Sequence, residues 1–582
     1  MSTKPEVEVL TLCSSLRQQG FSNSPHGTEK KLGRGCTAQS AVVKEPEGPA
    51  LWRGSGCQHL TACKKAQRRG PAPLSRTRCR KERDTGLTVN QETPPLGGVD
   101  NLHPKGSEAC RAQYELVRHK VNFVVCQLFA LFAAFWFRIY LHPGKTSSEV
   151  RHAIATILGI YFVIFCFGWY SIHLFVLVLM CYGIMVTTSV SNIHRYTFFV
   201  AMGYLTICHI SRIYIFHYGI LTTDFSGPLM IVTQKITTLA FQVHDGLGRR
   251  AEDLSAEQHR LAVKVKPSFL EYLSYLLNFM SIIAGPCNNF KDYVAFIEGR
   301  HIHTKLLGVN WKQKGFHSLP EPSPNRAVIQ KLCVTLVSLL LFLTLTKTFP
   351  ITCLTDDWFV HKADFLTRLF YLYVVMQAAK PKYYFAWTLA DAVNNAAGFG
   401  FSGVDKNGNF CWDLLSNLNI WKIETATSLK IYLENWNIQT AAWLKSVCYE
   451  RVPWYPTVLT FVLSALWHGV YPGYYFTFLT GVLVTLAARA VRNNYRHHFH
   501  SSKVLKVVYD IVTWATTQLA VSYIAAPFVM LAVEPTISLY RSMYFYLHII
   551  SLLVILFLPI KPQAHTPSQP RTLNSVHKKR TD

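Results

Sequence analysis

Charged side chains are scarce in this sequence, and acidic ones most of all. They make up 16% of the 582 residues, whereas a soluble protein of this size usually carries about a quarter. Lysine and arginine number 59 against 33 aspartates and glutamates, which gives a formal net charge of +26. The deficit argues against an ordinary soluble domain and predicts burial in a membrane. The basic excess must then lie in loops and tails, where it suits cytoplasmic faces, anionic lipid head groups or a phosphorylated substrate.

The motifs of several enzyme and binding classes are also absent. There is no HExxH, GxSxG or Walker loop, which argues against the usual hydrolases and nucleotide-binding machines. The 15 cysteines form no CxxC pair, so we expect free thiols and no metal site. No basic face with interleaved aromatics indicates nucleic acid as a partner. "GFGFSG" at 398–403 follows a predicted helix instead of a strand, and "HHFH" at 497–500 lies in a basic, solvated loop, so we discount both.

Hydropathy divides the chain into three parts. Residues 1–120 are rich in Arg, Gly, Pro and Ser and too poor in apolar clusters to fold, so we predict a disordered extension. Residues 121–565 contain about ten to twelve apolar stretches, the first of which starts at Val121 and is long enough to cross a bilayer core. Residues 566–582 form a basic tail. We predict an all-α, polytopic integral membrane protein with about 11 transmembrane helices.

Polar residues inside the apolar stretches are the functional candidates, because each costs free energy unless it has a partner. One group, in "AWTLADAVNNAAGFGF", is Asp391, Asn394 and Asn395, which share one face of a helix. Its alternative interpretation is a set of hydrogen bonds between helices. A second group lies in "YLENWNIQTAAWLKSVCYERVPWYPTVLTFVLSALWHG". There we predict helices over 437–450 and 457–468, separated by the two prolines of "ERVPWYP".

The two ends of this second segment carry Asn437 and His468. If the two helices fold back antiparallel, these side chains lie at one level, since each arm is about 20 Å long. A neutral imidazole can accept the proton of an alcohol, and a carboxamide can hold that alcohol or a developing oxyanion. No serine or cysteine of the segment has a convincing nucleophile context. The pair therefore suggests direct transfer of an acyl group to an alcohol, with a packing role for His468 as the alternative.

These motifs resemble those of a known family. "WHGVYPGYY" and "ENWNIQTAAWL", on a chain of many predicted helices, are similar to the membrane-bound O-acyltransferases. "PKYYFAWTLADAVNNAAGFGF", "DFSGPLMIVTQKITTLAFQVHDG" and "WNIQTAAWLK" resemble the branch of that family that acylates lysophospholipids. The resemblance covers residues 121–570. Residues 1–120 depart from it, since that branch begins with a short polar tail, and we favour an alternative start over a regulatory domain.

The resemblance implies roles for particular residues. It implies that His468 is the catalytic base and Asn437 its partner, in a tunnel enclosed by the helices. It implies acyl-coenzyme A as co-substrate and no cofactor. The candidates for the wall of the tunnel are Asp391, Asn394, Asn395, Trp436, Trp467, Gly469 and Pro472. The candidates for binding the coenzyme A phosphates are Lys380, Lys382, Lys430, Lys445 and Arg451.

The resemblance also implies a substrate and a location. The acceptor would be lysophosphatidylserine or lysophosphatidylethanolamine, the donor oleoyl-coenzyme A, and the site of action the endoplasmic reticulum membrane, in phospholipid remodelling. The expected assembly is a monomer or a homodimer. Two alternatives stay open: acylation of a protein or peptide hydroxyl, as in other members of the family, and transport along a path lined by His468 and the Asp391 group. The lack of an internal repeat argues against transport.

Overall fold

The described part of the chain is mostly helical, as its long apolar stretches predict. This computed structural model describes the backbone of residues 104–214, 225–307 and 322–559, and the side chains of those ranges from residue 121 onward except that of His500. Residues 1–103 of the predicted extension and the basic tail at 566–582 lie outside the described residues. The first helix begins at Pro104 instead of Val121, so residues 104–120, which the sequence predicts as part of the disordered extension, are helical and continuous with the first predicted span.

The helices of the first half, in chain order, are α1 (Pro104–Tyr140), α2 (Ser148–Phe167), α3 (Ile172–Thr187), α4 (Ile193–Tyr214), α5 (Ser226–Leu247), α6 (Ala256–Leu261), α7 (Phe269–Leu277), α8 (Phe290–Ile297) and α9 (His301–Leu307). A 3₁₀ turn at Gly168–Ser171 joins α2 to α3, so that the two form one apolar run of 40 residues.

The elements of the second half are α10 (Asn325–Thr348), α11 (Phe365–Ala379), α12 (Pro381–Ala396), β1 (Gly403–Val404), β2 (Phe410–Cys411), α13 (Ile420–Glu424), α14 (Leu429–Asn435), α15 (Ile438–Leu444), α16 (Pro456–His468), α17 (Pro472–Tyr495), α18 (Lys503–Met530), α19 (Val533–Ser542) and α20 (Tyr546–Phe557). Short 3₁₀ and π turns lie at Ala251–Asp253, Ile351–Thr355, Trp358–Lys362, Lys445–Tyr449 and Arg496–His500. The two strands pair antiparallel, with Gly403 opposite Cys411.

Several helices are long and apolar enough to cross a bilayer, which makes this a multi-pass membrane protein. Within the described ranges four pass that test: Val121–Tyr140, Ser148–Thr187, Asn325–Thr355 and Pro472–Phe499. A fifth candidate is the pair α19 and α20, which is bent by 72°. α16 is apolar but shorter. Other stretches that the sequence predicts as spans form helices that do not meet this criterion.

Helix α5 shows why a predicted span can fall short in hydropathy. Nearly all of its side chains are buried by protein, and they include Gln234, Lys235 and Asp245. The Lys235 ammonium donates to the Tyr275 carbonyl (3.0 Å) and the Ser281 hydroxyl (2.5 Å). Because neighbouring helices satisfy these groups, α5 does not need an apolar surface. A hydropathy criterion assumes that a spanning helix faces lipid, and it therefore does not identify α5 as a span.

The apolar stretch at 269–284, which also predicts one span, is divided by a polar cap. α7 ends at Leu277, and the Asn278 side chain donates to the carbonyls of Ser274 (3.1 Å) and Tyr275 (2.9 Å). These bonds occupy carbonyls at the end of the helix, so the chain turns there instead of continuing. The result is a short helix whose end packs into the core.

That helix end is approached very closely by α2. A Cβ atom added to Gly159 would lie 1.6 Å from the Leu277 carbonyl oxygen, and the Phe279 amide donates to the Ala155 carbonyl at 3.2 Å. No side chain larger than hydrogen fits at residue 159 without moving backbone. The packing of α2 against the end of α7 therefore depends on a glycine in the middle of α2.

We expect Gly159→Ala to destabilise the folded protein by about 1–3 kcal/mol, because the new methyl group overpacks against backbone that cannot rotate away. The measurement is the thermal unfolding midpoint of detergent-solubilised protein by fluorescence-detected size exclusion. The matched control is Gly203→Ala in α4, where a Cβ atom would meet nothing within 4 Å. It should be neutral or raise the midpoint, since alanine favours helix over glycine by up to about 1 kcal/mol. Equal midpoints for the two variants would contradict the close approach.

Candidate active site

The two helices predicted around Asn437 and His468 are both present. α15 begins directly after Asn437 and continues as a π-helical turn to Tyr449. α16 ends at His468. Pro453 and Pro456 lie at the turn between the arms, where the sequence predicts the break. We call residues 437–468 the hairpin.

Helix α5 shows how the hairpin is oriented. Four pairs of groups join the two, in the order in which α5 runs: the Met230 carbonyl with Trp467 Nε1 (3.1 Å), Gln234 Nε2 with Thr440 Oγ1 (2.9 Å), Thr237 Oγ1 with Trp443 Nε1 (2.9 Å), and the Asp245 carboxylate with Arg451 (2.6 Å). The first arm therefore runs parallel to α5, and the second arm returns. The turn lies at the C-terminal end of α5, and the two open ends lie at its N-terminal half. The antiparallel arrangement that the sequence predicts is confirmed.

The His468 imidazole lies in an aromatic box. Its ring is 5.3 Å from that of Phe478 and nearly parallel to it, and it meets the Phe528 ring at 90°. Trp467 and Tyr474 complete the contacts, at 4.6 and 5.6 Å. Within the described ranges no hydrogen bond or ion pair engages the ring, which is half-buried. Packing against these four aromatic rings holds the imidazole in place.

A second histidine, which the sequence analysis did not single out, lies beside this one. His209 of α4 is only 6% exposed, and its Nε2 lies 3.3 Å from the Trp467 carbonyl oxygen. A Cβ atom on Gly469 would come within 3.4 Å of its Nδ1. Gly469 has φ of 133°, which a larger residue rarely adopts. His209 therefore fixes the backbone next to His468. In the sequence, its position as a polar residue inside an apolar helix is the feature that could have identified it as a candidate.

Asn437 is held from both sides by backbone pairing. The Ile438 amide donates to the Asn417 carbonyl (3.0 Å), and the Asn419 amide donates to the Asn435 carbonyl (3.1 Å). Asn437 itself is left-handed, with φ and ψ both 50°, a conformation that asparagine tolerates better than most residues. Its carboxamide is half-buried and makes no hydrogen bond to the residues that the structure describes. These two backbone hydrogen bonds therefore fix the backbone around Asn437 and leave its side-chain amide available.

The four remaining tunnel candidates are close neighbours of these two residues along the chain. Trp467 and Gly469 flank His468, and Pro472 is the first residue of α17. Trp436 precedes Asn437 and packs in an aromatic cluster with Tyr383, Tyr384, Trp387 and Tyr432, at centroid distances of 5.6–6.1 Å. Aromatic packing thus supports both open ends of the hairpin.

The Asp391 group is tied into the interior by hydrogen bonds between helices. The Lys331 ammonium of α10 contacts Asp391 Oδ2 (2.6 Å) and Asn395 Oδ1 (2.8 Å). Asn394 donates to the Met280 carbonyl (3.2 Å) and to that of Ala390. The interhelical bonds that were the alternative interpretation are therefore present. These bonds involve the side-chain amides of Asn394 and Asn395 and one of the two carboxylate oxygens of Asp391.

The five basic candidates for coenzyme A phosphates lie apart along the chain and have protein partners. Arg451 pairs with Asp245, and Lys380 pairs with Glu424 (2.8 Å). Lys430 pairs with Glu434 (3.6 Å) and Lys445 with Glu450 (3.4 Å), both lysines being exposed. Lys382 is exposed beside the Tyr383 ring. Arg451 anchors the hairpin turn through this pair, and phosphate binding by all five residues stays a prediction.

The chemistry that this arrangement permits is that of a base and an amide presented to a bound hydroxyl. The described residues hold no group of three His, Cys, Asp or Glu side chains arranged to bind a metal ion. The nine described cysteines are unpaired, as the sequence predicts. An imidazole without a protein partner can take up a proton, and a carboxamide can donate to an oxygen on which charge develops.

Comparison with known proteins identifies the family of the chain. The model of MBOAT, the membrane-bound O-acyltransferase family, matches residues 210–526, which is more than half of the chain and includes the whole hairpin. The chain is 88% identical over 463 residues to "Membrane-bound glycerophospholipid O-acyltransferase 1" of Homo sapiens, a match that covers 80% of this chain and 94% of that protein.

Two further relatives extend the comparison. The chain is 57% identical over 442 residues to "Membrane-bound glycerophospholipid O-acyltransferase 2" of Homo sapiens, covering 76% of this chain and 85% of that protein. It is 43% identical over 441 residues to "Lysophospholipid acyltransferase 6" of Drosophila melanogaster, covering 75% and 61%. The resemblance predicted from the motifs is thereby confirmed, and the chain belongs to the membrane-bound O-acyltransferase family.

Proposed function

We propose that this acyltransferase moves an acyl group from acyl-coenzyme A to the free glycerol hydroxyl of a lysophospholipid. The observation that carries the proposal is the pair of open side chains, Asn437 and His468, at the same end of one hairpin anchored to α5. The names of the relatives support a glycerophospholipid acceptor. From the resemblance we take lysophosphatidylserine and lysophosphatidylethanolamine as the acceptors and oleoyl as the acyl group.

The proposed reaction is a direct transfer. His468 accepts the proton of the lysolipid hydroxyl as that oxygen attacks the thioester carbonyl, and Asn437 donates to the developing oxyanion or orients the hydroxyl. The new ester C–O bond forms, the C–S bond breaks, and the thiolate of coenzyme A takes the proton. The aromatic box excludes water from the imidazole, which suppresses hydrolysis of the thioester. Acyl-coenzyme A is a co-substrate here, and no cofactor takes part.

The proposal includes the setting of the reaction. About eleven helices would enclose a tunnel within the bilayer, with several short or polar helices such as α5 counted among the spans because protein surrounds them. The location would be the endoplasmic reticulum membrane, and the enzyme would act as a monomer or a homodimer. Lysine residues at the cytosolic mouth would attract the coenzyme A phosphates.

We expect His468→Ala to lower transfer of labelled oleoyl groups to lysophosphatidylethanolamine by about 10²- to 10⁴-fold, because the general base is lost. The measurement is product formation in microsomes with matched amounts of the variant protein. His361→Ala is the control, since that histidine is 71% exposed outside the hairpin. Normal transfer by His468→Ala would refute the proposed role, and label in protein instead of lipid would favour the protein-acylating alternative.

Asn437 permits a sharper test, because its backbone and its carboxamide can be separated. Asn437→Gly removes the amide but suits the left-handed backbone, whereas Asn437→Ala removes the amide and strains the backbone. If the amide stabilises the oxyanion, we expect both variants to lose about 10²- to 10³-fold in kcat. Activity retained by the glycine variant alone would assign Asn437 a purely conformational role. Detergent melting curves for both proteins check that any loss is not unfolding.

A further inference from the structure

The helix that begins directly after Asn437 is capped by a residue from another part of the chain. α15 starts at Ile438, and Asn437 is its N-cap residue. The first helical amide, that of Ile438, donates to the Asn417 backbone carbonyl at 3.0 Å. The second, that of Gln439, donates to the side-chain oxygen Oδ1 of Asn417 at 3.2 Å. Asn417 therefore satisfies two of the amide groups that a helix leaves unpaired where it begins.

An asparagine at the N-cap position usually supplies this bond itself. Its backbone is extended, and its side-chain oxygen accepts the amide two or three residues further on. Asn419 caps α13 in this way, since its side chain accepts the Lys422 amide at 3.1 Å. Asn437 instead has a left-handed backbone, and its side chain makes no cap hydrogen bond. The cap of α15 thus comes from a second asparagine, and the carboxamide of Asn437 takes no part in it.

The segment that carries Asn417 is also tied to the start of α15 by the side chain of Gln439. Its Nε2 donates to the carbonyls of Leu414 (3.0 Å) and Ser416 (3.4 Å). Asn417 is only 7% exposed, and a buried amide that loses its acceptor costs free energy. If the Asn417 side chain is removed, the Gln439 amide needs another acceptor. The carboxamide of the N-cap residue, Asn437, is the ordinary one.

We propose that Asn417 is a positioning residue for Asn437: it caps α15 in place of Asn437, which keeps the Asn437 carboxamide free for the reacting hydroxyl or the oxyanion. The inference rests on the proposed function, because it presumes that this carboxamide takes part in acyl transfer. Asparagine is among the most effective N-cap residues, so without Asn417 the helix would use the carboxamide that the reaction needs.

The kinetic test removes the cap from the full-length protein in nanodiscs, with oleoyl-coenzyme A and lysophosphatidylethanolamine as substrates. We expect Asn417→Ala to lower kcat about tenfold and to change both KM values by less than about twofold, since the carboxamide is diverted to the Gln439 amide. Asn417→Asp keeps an acceptor of the same shape and should retain about half of the wild-type kcat or more. The control is Asp364→Ala, which removes a cap bond of 3.1 Å from α11 and should keep kcat.

A double variant separates positioning from a general structural role. Asn437→Gly has no carboxamide to divert, so the addition of Asn417→Ala should change its kcat by less than about twofold. A further loss of about tenfold would show that Asn417 acts independently of Asn437, and this would overturn the proposal. So would a normal kcat in Asn417→Ala beside an impaired Asn437→Gly. Full activity in Asn437→Gly would instead contradict the part that the amide plays in the proposed function.

A structural measurement tests the exchange of caps without reference to activity. In a cryo-electron microscopy structure of Asn417→Ala in nanodiscs, we expect Asn437 Oδ1 to lie about 3 Å from the Gln439 amide nitrogen, as a cap hydrogen bond requires. The same structure shows whether the fold is intact. An Asn437 side chain that stays in its wild-type position would contradict the inference, whatever the outcome for the proposed function.

Discussion

One face of α5 determines where the two candidate catalytic side chains lie. Met230, Gln234 and Thr237 are spaced at i, i+4 and i+7, so they project from the same side of the helix. They bind Trp467, Thr440 and Trp443 of the two arms. Inside a membrane no water replaces a broken hydrogen bond, so each of these contacts resists displacement more than it would at a wet surface. The position of the two candidate side chains is therefore set by a helix that contributes neither of them.

The same helix holds a basic residue that lies near the candidate site in the sequence. Arg451 lies in the turn of the hairpin, and it makes a two-pronged pair with Asp245 (2.9 and 2.6 Å) while donating to the Ser446 carbonyl. A guanidinium that already pairs with a carboxylate through both terminal nitrogens has few N–H donors left for a phosphate. Arg451 holds the turn of the hairpin at the C-terminal end of α5. Trp467 holds the open end at the N-terminal half of the same helix. The position of Arg451 in the sequence, close to the candidate catalytic residues, does not distinguish phosphate binding from anchoring of the turn.

Much of the fold followed from the sequence, because apolar runs and prolines are local signals. The hairpin bounds, the break at "ERVPWYP" and the helices on either side were predictable in this way. The position of α5 was not, since its burial depends on which helices surround it. His209 and Lys331 were missed for a similar reason. Each is one polar residue in an apolar or amphipathic helix, and only the packing shows that His209 contacts the backbone at Trp467 and that Lys331 meets Asp391.

Polar groups in this protein fall into two kinds, and the distinction carries the functional argument. Lys235, Lys331 and Asn394 have partners within the protein, so they stabilise the helix bundle and are unavailable to a substrate. Asn437 and His468 are half-buried and lack such partners among the described residues. Neither side chain is used to stabilise the bundle, so both remain free to bind another molecule. Their place at one end of the same hairpin is the arrangement on which the proposed reaction depends.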